Sequence, residues 1–96
     1  MSVKEVATVD VHAGQGDDFL QPLNAAAVVL GRAPNCRSVQ IMRCVERRDS
    51  FLIVVVWDSV EDHARFRETP LFDDYRSHIQ SFFASAPSFL HYESAE

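Results

Sequence analysis

Glycine and cysteine are scarce in this chain, basic residues are outnumbered, and no stretch stays apolar for long. The only cysteines are Cys36 and Cys44. Their spacing suggests neither a zinc site nor a disulfide framework, so both read as reduced, packed thiols. With three glycines in all there is no phosphate cradle. Gly14-Gln15-Gly16 lacks the third glycine and the downstream context of a dinucleotide site, and no G-x-S-x-G elbow occurs. Four histidines without paired spacing do not make a metal site. No cofactor and no metal are therefore assigned. The formal net charge of -5 argues against nucleic acid, whose phosphates require a basic face. Arg43, Arg47 and Arg48 cluster locally, and a solvated hairpin end explains them as well as an anion site does. No apolar run approaches the roughly 20 residues that span a bilayer, so no membrane partner is expected. The N-terminus lacks the basic-then-apolar pattern of a secretory signal, and a cytoplasmic protein is the expectation.

What is present is a core. Hydrophobic residues make up 47% of the 96 residues, enough for a single domain over residues 1–96, near the lower end of comfortable independent folding. Val3 to His12 has strand periodicity, with Val3, Ala7, Val9 and Val11 on one side and Lys4, Thr8, Asp10 and His12 on the other. A loop at 13–16 precedes a helix from Asp17 or Asp18 to about Arg32, with Phe19, Leu23, Ala26 and Leu30 on one face. Ala33-Pro34-Asn35 stops it, Asn35 being suited to a left-handed conformation. Cys36 to Glu46 alternates again. Arg47–Ser50 is a short turn, so the next strand, Phe51 to Trp57, pairs antiparallel with it.

The stretch from Trp57 to Phe83 organises the second half. Asp58-Ser59-Val60-Glu61 reads as a capping box opening a helix. Thr69-Pro70 interrupts that helix and lets it resume, since Pro70 lacks an N–H yet suits a first turn. Phe72, Tyr75, Ile79, Phe82 and Phe83 make one apolar stripe. Ala86-Pro87 closes the helix, and Ser88 to Glu93 reads as a last short strand. The order β-α-β-β-α-β is the ferredoxin-like split unit, an α+β fold with one four-stranded antiparallel sheet.

One layer of helices covers only one sheet face. Phe51, Ile53, Val55 and Trp57 point one way from their strand; Leu52, Val54 and Val56 point the other. Leaving the second set in water forgoes roughly 1.5–3 kcal/mol per large aliphatic side chain, and a contiguous apolar patch marks an interface. A two-fold homodimer that buries this face is expected.

The chain resembles the antibiotic biosynthesis monooxygenase (ABM) domain, of the dimeric α/β-barrel superfamily. The likeness is carried by Gly14–Phe19, by Cys36-Arg-Ser-Val39, and above all by Phe51–Trp57 followed by Asp58-Ser-Val-Glu-Asp-His63. It continues through Phe66-Arg-Glu-Thr-Pro-Leu-Phe72, Tyr75-Arg76, Phe82-Phe83, Pro87 and His91-Tyr92, covering nearly the whole chain. The resemblance implies that two sheets close into a barrel at a dimer interface, with a ligand pocket between each sheet and its helices. It also implies the family's range of activities: cofactor-independent oxygenases for polyphenolic or quinol-like substrates, haem-degrading relatives, and members of unknown activity. The haem-degrading branch carries a tryptophan and a histidine in the second helix. The aligned positions here are Phe66 and Arg76, and strand one has no asparagine, so the haem reading is disfavoured.

His63 is the candidate catalytic group: an imidazole accepts a proton at neutral pH, and cofactor-free oxygenation asks the protein for little more than a base, a positioned substrate and a dry pocket. Trp57, Phe66, Phe72 and Tyr75 are candidates to wall a flat aromatic ligand. Arg76 or Arg43 is a candidate to steady negative charge, and His91 to face the same cavity or the dimer seam. The plainer readings, a hydrogen-bonded histidine and a core stripe, stay open. So do three functions: a monooxygenase using O₂ on a small aromatic substrate, an isomerase or cyclase in the same pocket, and a non-catalytic ligand-binding dimer. His12 and His78 read as peripheral.

Overall fold

A computed structural model describes residues 2–96. Its elements are β1 (Val3–Asp10), α1 (Gly16–Leu30), β2 (Cys36–Arg43), β3 (Ser50–Trp57), α2 (Val60–Phe66), α3 (Pro70–Ile79), a single 3₁₀ turn over Gln80–Phe82, and β4 (Ser88–Tyr92). The four strands form one antiparallel sheet in the order β2-β3-β1-β4, the ferredoxin-like arrangement expected from the element order. Among the described residues no helix is long and apolar enough to cross a membrane.

The alternation in each strand decides what the helices cover. Phe51, Ile53, Val55 and Trp57 are all buried, together with Ala7 and Val9 of β1 and with Phe19, Leu23, Ala26 and Leu30 of α1. Phe19 meets Phe51 edge-on, ring centres 5.1 Å apart, and Phe82 at 5.2 Å, which ties α1, β3 and the 3₁₀ turn together. On the opposite face Leu52, Val54 and Val56 are only half-buried within the chain. Beside them Val6 pairs with both Val54 and Leu90, and Leu90 is 65% exposed.

Several boundaries differ from the sequence reading. Strand β1 stops at Asp10, and Val11 makes one isolated bridge to Phe83. Strand β2 stops at Arg43 instead of Glu46; Val45 is largely exposed and joins no face. The second long helix ends at Ile79 and tightens into the 3₁₀ turn, so Phe82 and Phe83 leave the helical stripe. The N-cap sits one residue later than read. Ser59 is the N-cap, its Oγ accepting from the Asp62 amide at 3.2 Å and donating to Asp62 Oδ2 at 2.8 Å. Asp58 is drawn off instead into a bidentate pair with Arg37. Asn35 takes the left-handed conformation, φ 64°, and Pro70 opens α3 with Thr69 as N-cap.

The loop before α1 is fixed by Asp49, whose two carboxylate oxygens accept from the amides of Gly14 at 3.0 Å and Gly16 at 2.9 Å. A Cβ on Gly16 would run into the Arg48 carbonyl oxygen and the Arg43 guanidinium and stand 2.8 Å from Asp49 Oδ1. Gly16→Ala is expected to lower stability by about 1–3 kcal/mol through this overpacking; a urea unfolding midpoint equal to that of the parent contradicts it.

Candidate active site

The buried face of the sheet carries one carboxylate. Glu5 shares its side of β1 with Ala7 and Val9 and is buried. Its Oε1 accepts from Trp57 Nε1 at 3.0 Å. Register places Glu5 directly opposite His91 on β4. Above this pair sits His63, with Nε2 3.4 Å from Glu5 Oε1 and Nδ1 2.8 Å from His91 Nε2. One of the latter two nitrogens carries the shared proton. The His63 ring stacks on Trp57, centres 5.4 Å apart, and meets Phe89 edge-on at 5.0 Å.

His63 is delivered there by its neighbour. Asp62 accepts from Asn35 Nδ2 at 2.9 Å, from Ser59 and from Arg65. Those three side-chain bonds hold its carboxyl down to about 2, so it stays ionised and pins the start of α2 to the left-handed turn between α1 and β2. The next residue, His63, is thereby aimed at the sheet.

Between the sheet and α2–α3 lies a cavity of about 270 Å³, lined among others by Glu5, His63, Phe66, Arg67, Phe72, Tyr75, Arg76 and Phe89. Phe66, Phe72 and Tyr75 form its aromatic wall, with ring centres 5.6–6.3 Å apart. Among the described residues no donor reaches Glu5 Oε2. No enclosed side-chain polar atom among the described residues is left without a partner, so this oxygen is open to the cavity. Burial is the first cause that raises the Glu5 carboxyl above its ordinary range, opposed by the Trp57 bond and the charge of Arg67. Burial likewise pushes His63 down to about 4, with His91 and Arg67 adding to the shift. Both groups are thus biased toward their neutral forms. Burial also raises the Tyr75 phenol, and the Glu5 charge adds to this.

Of the residues singled out from sequence, His63, Phe66, Phe72, Tyr75 and Arg76 meet at this cavity. Trp57 is fully buried behind Glu5 and His63 and supports them without lining the space. His91 reaches the site through His63. Arg43 is elsewhere, bound to Asp17 and the Arg48 carbonyl. Glu5 was missed. Its signal was a lone acid in register with Val3, Ala7 and Val9, on the apolar side of an alternating strand. Among the described residues no group of three potential metal ligands converges; His63 turns different ring nitrogens toward Glu5 and His91, and one metal ion cannot use both.

A sequence model of the antibiotic biosynthesis monooxygenase family matches residues 2–78. The chain belongs to the ABM family. Similar solved structures include a Bordetella bronchiseptica protein provisionally assigned as an antibiotic biosynthesis monooxygenase. It is 27% identical over 99% of this chain and 98% of its own, with a TM-score of 0.93. The cofactor-independent oxygenase SnoaB of Streptomyces nogalater, solved as an Asn-to-Ala variant, shares the fold at a TM-score of 0.82. Its identity is 17%, over 99% of this chain and 94% of its own. The uncharacterised protein YczJ of Bacillus subtilis is 22% identical over 92 residues, 95% of this chain and 97% of that protein.

The geometry sets a pH signature for this ABM protein. His63 binds its proton less readily folded than unfolded, so its contribution to stability is present above about pH 6.5 and is lost as pH falls toward about 4. Glu5, shifted upward, works with the opposite sign, gaining stability on acidification. A ring NMR titration should keep His63 neutral down to about pH 4, and His63→Gln should flatten the fall in stability across that window. A His63 titration near ~6.5, the ordinary value, contradicts this.

Proposed function

We propose that this ABM-family chain is a cofactor-independent monooxygenase for a small phenolic, quinol- or anthrone-like substrate, with the Glu5–His63 pair as its base. The observation that carries the reading is a buried carboxylate with one oxygen open to an aromatic-walled cavity. The shared fold with SnoaB, itself a cofactor-independent oxygenase, agrees with it.

The chemistry asks for no reductant. Glu5 takes a proton from an acidic O–H or C–H, with His63 set against its other oxygen. The resulting electron-rich anion passes one electron to O₂, and the substrate radical and superoxide combine in a new C–O bond. For an anthrone-like CH₂ the peroxide then takes up a proton. The remaining C–H proton leaves as the O–O bond breaks, giving C=O and water. One oxygen atom enters the substrate and the other leaves as water. The protein supplies the base, the orientation and a site that excludes solvent.

The chain's partner under this reading is a second copy. The open sheet face presents Val6, Leu52, Val54, Val56 and Leu90 together, and sheet-to-sheet closure removes that surface from water while leaving the cavity on the far side of each sheet. The same cavity and base also serve a proton-transfer isomerase or cyclase, which forms product without consuming O₂.

With a panel of anthrones and quinols, the protein alone should consume one O₂ per product. Glu5→Gln and His63→Gln should each lower turnover about 10²–10⁴-fold. Full activity in both variants removes the proposed base, and product formation without oxygen uptake selects the isomerase. By sedimentation the parent should be a dimer at micromolar concentration and Val54→Asp a monomer; a monomeric parent contradicts the shared-sheet interface.

A further inference from the structure

Two positive charges at the cavity mouth have no assigned work in deprotonation. Arg67 follows the last turn of α2 and Arg76 lies in α3, and both line the cavity. Their guanidinium carbons lie 6.0 and 5.4 Å from the centre of the same Phe72 ring, and that of Arg67 stands 4.9 Å over Phe89. Rings that form the ligand wall therefore also hold the cations in place. Among the described residues neither arginine has a carboxylate within 4.0 Å. Asp73, one turn before Arg76, does not pair with it, and the side-chain partner of Arg76 is the neutral amide oxygen of Gln80 at 3.1 Å. By contrast Arg37, Arg43 and Arg65 all meet carboxylates.

We infer that the cavity's ligand is an aromatic monocarboxylate, its carboxylate received by Arg67 and Arg76 and its acidic O–H or C–H directed at Glu5. A guanidinium matches a planar carboxylate through two parallel N–H donors. Charge counting favours a monoanion. Glu5, when ionised, offsets one of the two cations across the cavity, and about one positive charge is left for the ligand. A ligand anion at the mouth is also kept apart from Glu5 on the sheet, so the two negative groups occupy opposite ends. About 270 Å³ is just under the usual range for small-molecule pockets and suits a flat ligand of up to about three fused rings. The inference rests on the cavity being the ligand site, as proposed above, and not on oxygen chemistry.

The test is anaerobic calorimetry on the parent protein with three probes. They are a hydroxynaphthoate with hydroxyl and carboxylate at opposite ends, the naphthol that lacks the carboxylate, and naphthyl phosphate. The hydroxynaphthoate should bind about 10- to 100-fold more tightly than the naphthol, and added salt should narrow the gap. Arg67→Gln and Arg76→Gln, both at exposed positions, should each shrink the ratio of hydroxynaphthoate to naphthol affinity. Equal binding of acid and naphthol, tighter binding of the phosphate, no binding of any probe at millimolar concentration, or variants that keep the full preference would each overturn the inference. No turnover is measured, so loss of the oxygenase reading leaves these outcomes intact. Turnover of neutral quinols without carboxylate preference removes this inference alone.

Discussion

A carboxylate inside an apolar sheet face is costly unless something compensates it, and Glu5 is compensated from three directions. Trp57 Nε1 donates to one oxygen from the neighbouring strand, His63 stands over that oxygen from α2, and the charge of Arg67 acts from the rim. Each compensating group is fixed by a separate local feature: Trp57 by β3 register, His63 by the Ser59–Asp62–Asn35 cap network, Arg67 by the helix break ahead of Pro70. The site is therefore a consequence of the fold's junctions. The cavity lies beneath two short helices, α2 and α3, whose Phe66, Phe72 and Tyr75 pack against one another along its wall.

The two faces of the sheet divide the work. The covered face holds the polar cluster and the cavity; the open face carries a central aliphatic patch, Val6, Leu52, Val54, Val56 and Leu90, flanked in register by Lys4, Thr8, Ser38 and Gln40. An interface on the open face can thus be large and apolar without disturbing the protonation of Glu5 and His63. This separation gives a 96-residue chain both a cavity beside buried ionisable groups and a second hydrophobic surface.

Strand alternation and helix punctuation carried most of the fold. The doubly apolar β3, the Thr69-Pro70 break and the left-handed Asn35 are local signals, and each was legible. Strand ends were less so, because β1 and β2 stop where partner strands stop, which no local pattern records. Asp58 and Ser59 both offer a cap oxygen, and only the tertiary pairing of Asp58 with Arg37 decides between them. The aromatic stripe was visible, but period alone does not separate Trp57, sealed in the core, from Phe72 at the cavity. Arg43 and Arg76 look equivalent as cations in sequence; topology sends them to different regions. Glu5 was legible in principle as one acid breaking an apolar face, and it gains meaning only when β3 and β4 bring Trp57 and His91 beside it.

Under the proposed function Glu5 is a desolvated carboxyl poised to exchange a proton with whatever occupies the cavity. Difference infrared spectroscopy of the parent protein against Glu5→Gln, followed across pH, observes that carboxyl directly. A protonated-carboxyl band that belongs to Glu5 is expected to persist above the ordinary glutamate range and to shift when an anionic aromatic ligand is added. A Glu5 carboxyl that ionises at or below the ordinary value, indifferent to ligand, contradicts it.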